Sequence, residues 1–225
     1  MAEIGRLHYR GPMSADPIQT IDAAFGWQGF PDAMFYHSPF GLRFELGGDL
    51  DMGPLRFVQA LDRARAVASV LFSRSDRLVA IVSIYGEERA TRRQSAAIQK
   101  LKQIGFPHSF GSAAKIPQND RQYIAEFGQD LYRHWYAAQF TNDETSIPAL
   151  LWVSIAGAMD IQPKARWLDT IHIVDVQKRL ALIAYDDRGM DVIGPSGPAL
   201  SSLYRKFNSW LLNYDRAEMD AKFSS

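Results

Sequence analysis

Asp186-Asp187-Arg188-Gly189-Met190-Asp191 places three carboxylates and a guanidinium within six residues. Carboxylates this close can converge on a cation or on a basic side chain of another molecule, and the arginine beside them can receive a carboxylate or phosphate through paired hydrogen bonds. Two further acids, Asp49 and Asp51, follow the Gly47-Gly48 pair and can join from another loop, although solvating a glycine-rich turn explains them better. Arg43 and Glu45 alternate with Leu42, Phe44 and Leu46, so both point to one side of a strand, where they bracket a polar groove or pair with neighbouring strands.

Two chemistries are open to this set. In the first, Arg43, Glu45, Asp186, Asp187, Arg188 and Asp191 orient a protein partner or a small basic ligand without turnover and without a cofactor. In the second, Asp49 or Asp51 joins Asp186, Asp187 and Asp191 to activate water in a small hydrolase, with Mg2+ as the cofactor. A purely local use competes with both: Asp187 and Arg188 suit a type I turn, and Gly189 suits the positive φ of a closing bulge.

No complete nucleophilic or metal motif accompanies the cluster. The five histidines, His8, His37, His108, His134 and His172, form no HExxH and no close pair, so they do not nominate zinc. His172, between Ile171 and Ile173, reads as a strand residue with one ring nitrogen satisfied. Gly194-Pro195-Ser196-Gly197-Pro198 lacks the lysine and following hydroxyl residue of a phosphate loop and reads as a stiff connection. Arg89, Arg92, Arg93, Lys100 and Lys102 make one basic element, but Glu87 and Glu88 stand at its start and few aromatics interleave, as on a solvated helix face. With 25 basic and 25 acidic residues the chain carries no global positive field, so no nucleic acid is expected as a partner. The apolar segments are too short to cross a membrane, there is no cysteine, and the first residues lack a secretory pattern. A soluble, cytoplasmic protein is the expectation.

The elements that must position these residues are legible in part. Asp16-Pro17 opens a helix that Gly26 ends. Leu42 to Leu46 reads as a half-solvated strand. Pro54 begins a helix whose apolar face runs through Phe57 or Val58, Leu61, Ala64, Ala68 and Leu71, with Arg56, Asp62 and Arg65 falling away from it. Leu78 to Ile84 is continuously apolar, as in a central strand, and a helix from about Ala90 to Gln103 follows. Between Gln122 and Phe140 a helix and a strand fit equally. Pro148 to Met159 reads as a buried helix. Thr170 to Val176, Leu180 to Tyr185 and Met190 to Ile193 read as a strand meander, followed by a helix with Leu200, Leu203, Tyr204, Phe207, Trp210, Leu211 and Tyr214 on one apolar face. Asp215 then caps a short final helix. The expected architecture is α+β: a mixed or antiparallel sheet covered by several helices, ending in that meander and amphipathic helix. Residues 1–34 are expected as an N-terminal extension packed on the core, and residues 35–225 as a single domain.

Three stretches carry a family resemblance: Phe40-Gly41-Leu42-Arg43-Phe44-Glu45-Leu46-Gly47, Tyr185 through Ile193, and Leu203-Tyr204 with Trp210-Leu211-Leu212-Asn213-Tyr214-Asp215-Arg216. In this order, over roughly Phe35 to Phe223, the chain resembles an uncharacterised bacterial family, domain of unknown function 3885. The resemblance implies a compact domain and brings no reaction, cofactor or residue role with it. Small bacterial domains of similar acidic, aromatic-rich composition neutralise toxins, so immunity-like protein binding is one form the interaction reading takes, by analogy alone.

Overall fold

The computed structural model describes residues 16–31, 33–118, 124–125 and 131–223. Asp16 accepts a hydrogen bond from the Ile18 N–H at 2.9 Å and Pro17 starts the first turn of α1 (Pro17–Phe25), which closes at Gly26 with φ 74°. This is the cap, proline and glycine grammar of a short helix. After a 3-10 turn at Met34–His37, the chain runs through β1 (Phe40–Glu45), α2 (Pro54–Leu71), β2 (Arg77–Gly86) and α3 (Arg92–Ile104). It continues through β3 (Gly111–Pro117), β4 (Tyr132–Thr141), α4 (Ser146–Ala158), β5 (Thr170–Asp175), β6 (Leu180–Ala184) and β7 (Gly189–Gly194). The last elements are α5 (Gly197–Lys206), 3-10 turns at Asn208–Trp210 and Asn213–Asp215, and α6 (Arg216–Phe223). Among the described residues, no helix is long and apolar enough to cross a membrane.

The strands form one seven-stranded sheet in the order β1-β7-β6-β5-β2-β4-β3, with every neighbouring pair antiparallel. The α+β reading therefore holds, and its mixed-or-antiparallel alternative resolves to antiparallel. Strand alternation gives the sheet two different faces. One carries Leu42, Phe44, Val82, Ile173, Leu182 and Val192 into a large core beneath α2, α4 and α5. The other carries Ile81, Trp135, Val174, Ile183 and Ile193 beneath α1, Phe30 and Met34. Each fully buried large apolar side chain contributes roughly 1.5–3 kcal/mol, so both faces need their cover. On α2 it is Phe57 that turns inward and Val58 that turns outward.

The segment between Gln122 and Phe140 resolves at its later end into β4, an interior strand between β2 and β3. The helix expected through Tyr214 stops at Lys206. Two 3-10 turns follow because the chain bends to lie along the outer edge of β1, where the Leu212 N–H donates to the Arg43 carbonyl at 2.9 Å and Leu211 bridges Phe44. Those backbone bonds, which cover an otherwise open sheet edge, outweigh the helical pattern of the side chains. As a consequence Trp210 is only partly buried, stacked on Phe207 at 4.8 Å, and Tyr214 stands in solvent rather than in the core.

Candidate functional site

Because Leu42 and Phe44 point into the helix-covered core, Arg43 projects from the opposite face, directly across from Asp191 on β7. Its Nε donates to Asp191 Oδ1 at 2.9 Å, its Nη1 to Asp215 Oδ2 and to the Tyr36 hydroxyl, both at 2.7 Å, and its Nη2 to the Tyr185 hydroxyl at 3.4 Å. The guanidinium also lies 5.1 and 5.9 Å from the ring centres of Tyr36 and Tyr185, within cation–π range. Burial works against the charge on Arg43, but Asp191 and Asp215 outweigh it and hold the guanidinium charged more firmly than usual. Burial pushes the Asp191 carboxyl up, while the Arg43 charge and hydrogen bonds from Arg43, the Phe35 backbone and the Tyr185 hydroxyl pull it back. With a permanent cation at hydrogen-bond distance, the pair is ionic at neutral pH. Burial, then the Asp191 charge, pushes the Tyr185 hydroxyl up, so it keeps its proton and serves as a donor.

A second arginine organises the other acids. Arg56, in the first turn of α2, donates from Nε to Asp187 Oδ2 at 2.5 Å and from Nη1 to the carbonyls of Gly48 and Leu50, each at 2.8 Å. It ties the β1–α2 loop to the β6–β7 hairpin. Gly47 leaves room for it, since a Cβ there would push the Arg56 guanidinium from this seat. Asp186 stays local: its two oxygens accept from the Arg188 N–H and Arg188 Nε, each at 2.7 Å. That bond closes the hairpin in the manner of an Asx turn. Gly189 does not take the positive φ expected of a bulge. It is glycine because Tyr185 lies across it, and a Cβ would stand 2.5 Å from the Tyr185 hydroxyl.

The structure thus gathers the six sequence-nominated residues at one corner of the sheet but divides the acids among three cations. Asp191 faces Arg43, Asp187 faces Arg56, and Asp186 faces Arg188. Glu45 sits in register with Gly189. Asp49 and Asp51 are exposed on the loop that Arg56 holds, so a guanidinium stands between that loop and Asp187. Among the described residues no three His, Asp or Glu side chains gather to hold a metal ion. None of these five aspartates lines the cavities of about 330, 880 and 130 Å3, although Tyr185 stands in the wall of the last.

The sequence profile described as "Domain of unknown function (DUF3885)" matches residues 18–215. The chain belongs to the DUF3885 family. No curated protein and no solved structure matches it. The DUF3885 match begins on α1 and ends at Asp215, so it spans both the helix covering the second sheet face and the carboxylate that reaches back to Arg43.

Four residues that complete the corner escape a sequence reading. Asp215 was expected to cap the last helix; its carboxylate goes instead to Arg43 and Tyr36, 172 and 179 residues away. Arg56 lies off the apolar face of α2, which reads as a solvent position, yet its long side chain crosses to the hairpin. Tyr36 and Tyr185 carry no periodic signal, although Tyr185 adjoins the acidic run. His172 also departs from expectation: it is fully buried between Phe30 and Trp135, and neither ring nitrogen has a hydrogen-bond partner among the described residues.

Proposed function

We propose that this DUF3885 domain is a noncatalytic interaction domain, acting in the cytoplasm, that binds a protein partner over the Arg43 corner. The observation that carries the reading is a pair of tyrosines, Tyr36 and Tyr185, held around Arg43, with the exposed Tyr214 near Tyr36. Tyr36 and Tyr214 are 53% and 85% exposed, Tyr185 is partly exposed, and Tyr36 is oriented by Arg43 and Asp215. Tyrosine offers large, amphipathic contact area at low entropic cost, and here two of its hydroxyls are already held by the chain. Such preorganised aromatic and arginine surfaces are the composition of binding hot spots.

The acids serve this surface from beneath. Asp191 and Asp215 fix Arg43, Asp187 fixes Arg56, and Asp186 fixes Arg188, whose exposed guanidinium stands at the rim with Glu45. A carboxylate already engaged by a guanidinium is a poor general base and a poor ligand for Mg2+, because either role requires the pair to break first. That argument favours binding over hydrolysis. Immunity-like toxin binding is the form suggested by composition.

The test is affinity capture from native lysate followed by identification of retained proteins, with Tyr36→Ala, Tyr214→Ala and Arg188→Glu. Tyr214→Ala changes an exposed side chain and should keep the parent melting temperature. Tyr36→Ala and Arg188→Glu also remove bonds to Arg43 and Asp186, so melting temperature is measured beside capture, and each variant that stays folded should lose a specific captured species. Equal capture by the folded triple variant would remove the Arg43 corner as the binding surface.

A further inference from the structure

Away from that corner, α2 turns apolar side chains into solvent. Leu55 and Val58 are 76% and 52% exposed, and Met52, in the loop entering the helix, is 70% exposed. Single exposed apolar residues are ordinary, whereas a contiguous run marks a contact surface. Spacings of three and four residues carry the same outward stripe from Leu55 and Val58 through Asp62, Arg65 and Ser69. The last three form one wall of a groove of about 880 Å3, whose other wall includes Asp143, Glu144 and Ile147 at the start of α4. The apolar stripe and the groove are therefore one continuous feature along α2.

Its charged lining is acidic in excess. Asp62, Asp143 and Glu144 line the groove against Arg65, and Asp49 and Asp51 are exposed beside Met52 at the other end. Arg65 only approaches Asp62, at 3.9 Å. Burial opposes the charge on Asp143, but hydrogen bonds from the Ser146 and Thr145 backbone and side chains outweigh it and hold the carboxyl at about 2.

We propose that this groove docks a basic amphipathic helix of a partner protein, its apolar side chains on Met52, Leu55 and Val58 and its lysines or arginines beside Asp62, Asp143 and Glu144. A helix is the matching shape because the feature runs along α2 from Leu55 to Ser69, roughly 21 Å at 1.5 Å per residue, and helices pack into each other's surface grooves. The acidic lining repels nucleic acid and anionic membranes and selects a cationic peptide. None of the stripe or groove residues belongs to the Arg43 corner, so the two surfaces succeed or fail separately.

The experiment uses the full chain and two labelled helical peptides of roughly 18 residues, five turns, one of leucine and lysine and one of leucine and glutamate, followed by fluorescence anisotropy. The leucine–lysine peptide should bind, the leucine–glutamate peptide should not, and salt should weaken the complex. Leu55→Ser with Val58→Ser should weaken binding about tenfold or more, as for a central apolar contact, and Asp62→Lys with Glu144→Lys should do so through charge. These sites are exposed, and an unchanged melting temperature confirms that the variants fold. Equal binding of both peptides, unaltered binding by folded variants, or no binding would overturn the proposal. So would concentration-dependent self-association that Leu55→Ser abolishes, since the occupant would then be a second copy of the chain.

Discussion

Arg43 and Asp191 stand directly opposite each other on β1 and β7, and their 2.9 Å ion pair is shielded from water, with side-chain exposures of 15% and 2%. Removing one member of such a pair leaves the other charge without compensation in a poorly solvated place. Arg43→Ala should therefore destabilise the fold by about 3–5 kcal/mol, measured by denaturant unfolding, because Asp215 loses its cation as well. Arg43→Met combined with Asp191→Leu should recover the share of that loss due to Asp191, since a packed apolar pair avoids the desolvation cost of the charges, while Asp215 stays without its cation. A double variant as unstable as Arg43→Ala would show that Arg43 acts through its other contacts and not through Asp191.

Arg56 and Asp187 join two loops that are distant in sequence. Arg56→Ala and Asp187→Ala should each loosen the same unit, so their effects should not add. A double-mutant cycle should give a coupling of roughly 1–3 kcal/mol, as for residues in one hydrogen-bonded network. Gly47→Ala should mimic Arg56→Ala, because the added methyl displaces the guanidinium from its seat. Additive energies would mean that Arg56 supports the loop solely through the Gly48 and Leu50 carbonyls.

These relationships explain which parts of the molecule could be read from sequence. Elements whose side chains repeat at a fixed period were legible: α2 and the β5–β7 meander follow directly from where Ala64, Ala68, Ile173 and Leu182 fall. The turn after Lys206 was not, because the side chains at Phe207, Trp210 and Leu211 keep a helical period while the backbone answers to the β1 edge. At the site, the types and spacing of Arg43, Glu45 and the 186–191 run singled out residues that the fold brings to one corner of the sheet. Their pairings were hidden, since an acid is matched to a cation by long-range packing. Asp187 meets an arginine 131 residues earlier, and Asp215 meets one 172 residues earlier.

His172 sets the acid stability of the second sheet face. Burial, and then the nearby Arg133 charge, lowers its pKa from the ordinary 6.5 to about 3. In the unfolded chain the imidazole takes up a proton as pH falls below 6.5, whereas in the folded chain it stays neutral until about 3. The unfolded state thus binds more protons across that window, and stability must fall with falling pH, by about 1.4 kcal/mol per unit for this group. His172→Leu removes the linkage and also two buried nitrogens that lack hydrogen-bond partners among the described residues. Between pH 7.5 and pH 5 the variant should accordingly gain about 2 kcal/mol relative to the parent in urea unfolding, with the other histidines cancelling in the difference. Parallel stability curves for the two proteins would mean that the folded state admits a proton at His172, and that the cover formed by Phe30 over this ring opens to let it in.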